Sequence, residues 1–232
     1  GINLSLIFSP PLGTYQPRWA GHEIYLKNKK NIAYNREKVK LGVGAVKIAA
    51  MTAIDQLISF KIDFEKVLGE FVRAKKKEAE QLDPKYAAFV DVLEDFTMRG
   101  GKRIRPAFMY FSYLACGGDK KEEIMKAARA VELLQSFLLI HDDLIDRSDL
   151  RRGKPTAHRM FEKEFDKLGL SGDREHFGQS TAIICGDLAH LFAHEALSDA
   201  KFPAENLTKA RKLFSEIVFE TAYGWYKEML NI

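Results

Sequence analysis

The chain has 232 residues, of which 46% are hydrophobic, and this favours one globular domain with a substantial core over two small domains. The net charge of +4 comes from 36 basic and 32 acidic residues, a bias too weak to indicate nucleic-acid or membrane binding. No apolar run reaches the roughly 20 residues that a bilayer requires, and the first residues lack the order of a signal peptide. We therefore expect a cytoplasmic protein with no stable membrane insertion.

The first 50 residues differ from the rest of the chain. They contain three prolines, several glycines and a basic tract at residues 27–30, without sustained helical periodicity. We expect residues 1–50 to be a poorly structured extension and residues 51–232 to form a helical domain. Met51, where helical patterning starts, is a candidate translation start, which the mass of the protein made from its natural transcript would test.

Seven helices are predicted along the remainder of the chain. From Ile54 onward, apolar residues recur close to the i, i+3, i+4, i+7 pattern of an amphipathic helix. The same period predicts six further helices, over Tyr86–Met98, Ile104–Leu114, Glu122–Ile145, Thr156–Leu168, His176–Ala200 and Ala204–Leu230. Glycines and prolines between them predict short connections, and no segment shows sustained strand-like alternation. The fold class is therefore all-α, an antiparallel helical bundle.

A cluster of carboxylates ends the fourth of these helices. Asp142 and Asp146 are four residues apart, so their side chains lie about 40° from each other and roughly 5.4 Å apart along the helix axis. Gln135 lies about 20° off the same stripe. Like charges at this spacing repel, and the helix dipole opposes acids at a C-terminus, so a cation is favoured here. Carboxylates with room for phosphate oxygens suit Mg²⁺, whereas the alternative is a solvated acidic helix end.

Residues 147–156 carry four basic side chains directly after the carboxylates. Guanidinium groups bind phosphate bidentately, so a diphosphate could bridge Arg151 and Arg152 to a cation held by the aspartates. Gly153 permits close backbone approach, and Thr156 is the predicted cap of the next helix. Considered alone, these residues would be interpreted as a solvated basic loop, but their position beside the aspartates favours an anion site.

A second basic element precedes the helix that starts at Ile104. Lys102 and Arg105 are three residues apart and can face the same way. After Gly100 and Gly101, at a helix N-terminus with free backbone amides, they predict a second anion site. The alternative is a glycine-rich turn with ordinary surface charges.

Two features of the sixth helix favour structural roles. His190 and His194 have the i, i+4 spacing that zinc ligands often show, but no third ligand is evident. Gly186, inside the same helix, disfavours helix formation by about 1 kcal/mol relative to alanine, which indicates close packing against a neighbouring helix.

Four motifs, in order, resemble those of the trans-isoprenyl diphosphate synthases, the polyprenyl synthetase family: GGKRIRP, LLQSFLLIHDDLID, LRRGKPTAH and STAIICGDLAH. The resemblance runs from about residue 51 to the end and covers the first half of the family pattern. It implies the class I terpenoid synthase type of helical bundle, a homodimer, and condensation of isopentenyl diphosphate with an allylic diphosphate. It also implies these roles: Asp142 and Asp146 bind Mg²⁺, Arg151 binds the allylic diphosphate, and Lys102, Arg105, Gln135 and Arg152 bind isopentenyl diphosphate.

The same resemblance links product length to the fourth and fifth positions before the first aspartate, which are Leu138 and Phe137. A Phe at the fifth position is similar to short-chain synthases and implies a C15–C20 product. Helical geometry places Leu138 on the same face as Asp142. It places Phe137 about 140° away, so the role of Phe137 rests on the resemblance.

The sequence departs from the family pattern near its C-terminus. No segment matches the second aspartate-rich motif, and Trp225 stands where the family has a glutamine. We expect a domain that is incomplete at its C-terminus. Two alternatives to a prenyltransferase stay open: a class I terpenoid enzyme without condensation activity, which Lys102, Arg105 and Arg152 disfavour, and a non-catalytic subunit, which the intact DDLID motif disfavours.

Overall fold

The computed structural model describes the backbone of residues 43–230 and side chains from residue 53 onward. Within this range the helices are α1 (Val43–Leu82), α2 (Pro84–Met98), α3 (Ile104–Ala115), α4 (Lys121–Ile145), α5 (Ala157–Lys167), α6 (Arg174–Ser198) and α7 (Ala204–Leu230). Two short strands, β1 (Leu150–Arg151) and β2 (Lys154–Pro155), lie between α4 and α5. None of these helices combines the length and apolarity that a membrane crossing requires.

The seven predicted helices are present, and the largest differences from the predicted bounds are at the ends of α1. Helix α1 begins at Val43, before the predicted start at Ile54, while the prediction for residues 1–42 lies outside the described residues. Helix α1 also extends to Leu82 through a largely polar segment, which the apolar period could not reveal. Helix α2 follows at once because Asp83 accepts a hydrogen bond from the backbone N–H of Lys85 at 2.7 Å.

Helix α4 lies at the centre of the described fold. It contacts α2, α3, α5 and α6, and it is buried around much of its circumference, as its sequence predicts. Its most extensive interface is with α6. Helix α6 presents small, fully buried residues there: Ala182, Cys185, Ala189, Ala193 and Ala196. This face allows the two helix backbones to approach closely.

Gly186 completes the small face of α6. A Cβ atom at this position would lie 2.5 Å from Nε2 of His141, the residue that precedes Asp142 on α4. A side chain at Gly186 would therefore displace the His141 ring. The predicted role of Gly186 in close helix packing is confirmed.

Candidate functional site

The C-terminal turn of α4 presents carboxylates in two different environments. Asp142 is partly buried, and Asp146, the C-cap residue, is exposed. Asp143 lies between them but is fully buried, because successive helical residues project about 100° apart. The predicted pairing of Asp142 and Asp146 on one helical turn thus leaves two accessible carboxylates, with a third directed inward.

Arg151 neutralises the buried carboxylate. Its Nε donates to Oδ1 of Asp143 at 2.7 Å, and its Nη2 donates to Oδ2 of Asp142 at 3.1 Å. Burial raises the pKa of Asp143, although Arg151 and its hydrogen bond act in the opposite direction. Oδ2 of Asp143 has no hydrogen-bond partner among the described residues. The sequence treats Asp143 as part of an acidic motif, whereas the structure makes it the anchor of Arg151.

A β-hairpin positions the two arginines. Strands β1 and β2 pair antiparallel, with Arg151 opposite Lys154. The two turn residues, Arg152 and Gly153, have φ angles of 55° and 74°, and two consecutive positive φ values are typical of a type I′ hairpin turn. The sequence did not predict this hairpin, because strands of two residues are too short to show alternation.

Arg152 joins the two basic elements that the sequence places 50 residues apart. Its Nη1 donates to the carbonyl oxygen of Gly100, and its guanidinium lies against Gly101. A Cβ at Gly101 would lie 3.0 Å from Nη1 of Arg152, and the φ of Gly101 is +140°. Glycine is therefore favoured at this position for two reasons: it tolerates the positive φ, and it leaves room for the Arg152 guanidinium.

Helix α3 begins at Ile104, as predicted, directly after the basic residues Lys102 and Arg103. Arg103 is its N-cap, with a left-handed backbone (φ 48°) and no capping hydrogen bond from its side chain. Lys102 and Arg105 are both exposed on either side of it. Their predicted role in binding an anion stays a prediction.

The sequence did not single out Arg103, yet it is the buried member of this element. Its side chain is 0% exposed and donates to Glu65 at 3.1 Å, to Glu132 at 2.5 Å and to the carbonyl oxygen of Thr97 at 3.0 Å. Glu65 lies on α1 and Glu132 on α4, so Arg103 ties the glycine-rich loop to both helices. A buried guanidinium between two carboxylates shows that this arginine holds the loop in place.

Gln135 lies in a narrow crevice beside the hairpin arginines. Phe96, Thr97, Arg99, Glu132, Ser136, Leu139, Arg151 and Arg152 line this crevice together with Gln135. Helix α4 thus brings Gln135 next to Arg151 and Arg152. Its role as a ligand stays a prediction.

The two residues linked to product length lie one turn below the aspartates. Leu138 is partly buried, and Phe137 is 6% exposed and packs between two imidazoles. Its ring centroid lies 4.9 Å from that of His141 and 4.7 Å from that of His190 on α6. Phe137 therefore faces α6 and not the stripe of Asp142, as the helical geometry predicts.

His190 of α6 stacks on this phenylalanine, and His194 packs against His190. Nε2 of His190 and Nε2 of His194 are 3.2 Å apart, and burial, followed by the charge of His194, lowers the pKa of His190. Across the described residues 53–230, no group of three or more His, Cys, Asp or Glu side chains is placed to hold a metal. The zinc interpretation, which the sequence disfavoured, gains no support.

Trp225 brings α7 to the acidic end of α4. Its Nε1 donates to Oδ1 of Asp142 at 3.3 Å. Beside it lies a cavity of about 800 Å³, lined by His141, Leu144, Ile145, Arg147, His158, Arg159, Glu175, Gln179, Ile183 and Trp225. The sequence noted Trp225 only as a departure from a family pattern, because a contact across 83 residues leaves no local signal.

The donor set fits Mg²⁺ bound together with a diphosphate. Asp142 and Asp146 supply hard oxygen ligands at an accessible helix end, and Mg²⁺ takes one or two protein carboxylates and completes its shell with water and phosphate oxygens. Arg151 contacts Asp142, and Arg152, the next residue of the hairpin, lines the same crevice as Arg151, so both can bind phosphate oxygens.

Comparisons with known proteins agree with this chemistry. The family model described as "Polyprenyl synthetase" matches residues 87–231. The chain is 34% identical over 130 residues to a geranylgeranyl pyrophosphate synthase of Geoglobus acetivorans, covering 56% of this chain and 35% of that protein. It is 42% identical over 101 residues to a geranylgeranyl diphosphate synthase of Saccharolobus solfataricus, covering 44% of this chain and 25% of that protein.

A solved structure shows the same arrangement of helices. It is geranylgeranyl pyrophosphate synthase from Corynebacterium glutamicum, complexed with isoprenyl diphosphate and magnesium. The TM-score is 0.62 at 36% identity, over 66% of this chain and 44% of that chain. The predicted all-α isoprenoid synthase fold is confirmed. The chain spans less than half the length of each of these three proteins.

Proposed function

Because the chain belongs to the polyprenyl synthetase family, we propose that it acts as a prenyltransferase that joins isopentenyl diphosphate to an allylic diphosphate. The observation that carries this proposal is the direct pairing of the acidic end of α4 with the hairpin arginines through Arg151. Two accessible carboxylates and a guanidinium at one helix end suit a diphosphate that is bound through a cation.

The proposed reaction breaks the allylic C–O bond, and the bonding pair leaves with the diphosphate. The double bond of isopentenyl diphosphate attacks the resulting allyl cation, and loss of a proton restores a double bond. Asp142 and Asp146 would hold Mg²⁺, which supplies charge neutralisation for the departing diphosphate. Because negative charge grows on that diphosphate, fixed guanidinium groups favour the transition state over the ground state.

The two diphosphates are assigned to different sets of residues. We assign the allylic diphosphate to Arg151 and the cation, because Arg151 already contacts Asp142. We assign isopentenyl diphosphate to Arg152, Gln135, Lys102 and Arg105, which the Arg152–Gly100 contact brings towards one end of the bundle. A C15–C20 product and a homodimer belong to the same proposal.

Incorporation of radiolabelled isopentenyl diphosphate tests the function. The chain is incubated with Mg²⁺ and with dimethylallyl, geranyl or farnesyl diphosphate, and the products are separated by length. The Asp142→Asn/Asp146→Asn variant is the control. Condensation that needs Mg²⁺ and these aspartates is expected. Cleavage of the allylic substrate without incorporation would favour a terpenoid enzyme of the non-condensing kind, and binding without turnover would favour a non-catalytic subunit.

A further inference from the structure

Asp142 is held from two sides by different kinds of donor. Arg151 donates to Oδ2 at 3.1 Å, and the indole Nε1 of Trp225 donates to Oδ1 at 3.3 Å. The guanidinium comes from the hairpin next to α4, whereas the indole comes from α7, 83 residues further along the chain. The orientation of this carboxylate is therefore set by two elements outside its own helix.

The two donors differ in their effect on a bound cation. Arg151 carries a positive charge, which repels a cation at the same carboxylate. The indole N–H is neutral and can only donate, so it orients the carboxylate without adding charge. A carboxylate oxygen has two acceptor sites, and Oδ1 can accept the indole N–H and still offer a lone pair to a metal. Outer hydrogen bonds of this kind hold metal-binding carboxylates in place.

The position of Trp225 suits this role. The residue is partly buried, while its neighbours Tyr223 and Tyr226 are 65% and 63% exposed. Its ring forms part of the wall of the 800 Å³ cavity and fills space next to α4. A bulky, flat side chain with few rotatable bonds loses little entropy when its N–H is aimed at one oxygen.

We propose that Trp225 is a positioning residue, whose indole N–H fixes the Asp142 carboxylate in the orientation that binds a divalent cation. This inference rests on the proposed cation site at Asp142 and Asp146. The sequence resemblance places a glutamine at this position in the family, and a glutamine side chain also offers an N–H donor. Loss of the donor, not loss of the ring, should therefore decide cation affinity.

Mn²⁺ serves as the probe, and electron paramagnetic resonance of free Mn²⁺ measures its binding in the presence of inorganic diphosphate. The parent chain is compared with Trp225→Phe, Trp225→Gln, the exposed-site control Tyr226→Phe, and Asp142→Asn. Circular dichroism confirms that each variant keeps the helical content of the parent. Trp225→Phe is expected to weaken binding about 10-fold or more, since removal of such outer partners typically costs 10- to 100-fold. Trp225→Gln and Tyr226→Phe are expected to stay near the parent.

The other outcomes each overturn a defined part of the inference. If Trp225→Phe binds like the parent while Asp142→Asn does not, Trp225 has no positioning role and the proposed function stands. If Trp225→Phe and Trp225→Gln weaken binding equally, the ring and not the donor matters, and the inference fails. If the parent chain binds no Mn²⁺ at all, both this inference and the proposed function are wrong.

Discussion

Among the charged residues, substitution of Arg103 is expected to lower the free energy of unfolding the most. Its side chain is fully buried, and it is the partner of Glu132, whose side chain is only 10% exposed. Arg103→Met would leave the Glu132 carboxylate buried without a counter-charge, which costs about 3–5 kcal/mol. Glu65, the second partner, is 30% exposed and can be hydrated again when Arg103 is removed, so its loss of a partner adds little to this cost. Against a total stability of about 5–15 kcal/mol, this is a large fraction.

Urea denaturation followed by circular dichroism measures this effect in four variants: Arg103→Met, Glu132→Leu, the double variant that combines them, and Arg105→Met. Arg103→Met should lose about 3–5 kcal/mol, whereas Arg105→Met, an exposed arginine on the same element, should change stability by less than about 0.5 kcal/mol. Arg103→Met/Glu132→Leu removes both charges, so it should be clearly more stable than Arg103→Met alone. The reasoning is refuted if Arg103→Met is as stable as Arg105→Met, or if the double variant loses the sum of its single losses.

Three further predictions concern packing, pH and product length. Gly178→Ala should destabilise the chain by about 1–3 kcal/mol, because its Cβ would lie 2.7 Å from the carbonyl oxygen of His158. Gly224→Ala is the control: its Cβ would have no atom within 4 Å, so thermal melts should show it to be neutral or slightly stabilising. Burial, followed by the charge of a neighbouring arginine, lowers the pKa of His158 in the folded chain. The unfolded chain therefore takes up this proton first, and stability should fall as the pH drops below about 6.5, less steeply in His158→Gln; equal slopes in urea melts at several pH values would contradict this. In an active enzyme, Phe137→Ala should lengthen the products, and an unchanged product profile would refute the proposed stopper.

The helices and the acidic site could be predicted because their signals are local. Apolar periodicity depends on residues three and four apart, and it predicts α4 and α6 close to their observed ends. The spacing of Asp142 and Asp146 is likewise a property of one helical turn. The close helix packing at Gly186 could also be predicted from the sequence, since a glycine inside a helix disfavours the helix and needs a compensating contact.

The contacts that complete the site depend on residues far apart in the chain. Lys102, Arg103 and Arg105 are similar in sequence terms, and Arg103 is the buried one, with partners as distant as Glu132, 29 residues further along the chain. The hydrogen bond from Trp225 to Asp142 is set by how α7 packs in the bundle. Such long-range pairings have no periodic signature, so sequence patterns could not predict them.

Calorimetric titration with inorganic diphosphate, with and without Mg²⁺, tests most directly whether the acidic end of α4 and the hairpin arginines form one site. Binding to the parent chain is expected to require Mg²⁺ and to weaken at least about 10-fold in Asp142→Asn/Asp146→Asn, which removes both accessible carboxylates. It should weaken also in Arg151→Met, because that variant removes the guanidinium next to Asp142. Equal binding by the parent and both variants, or binding that is independent of Mg²⁺, would contradict the account.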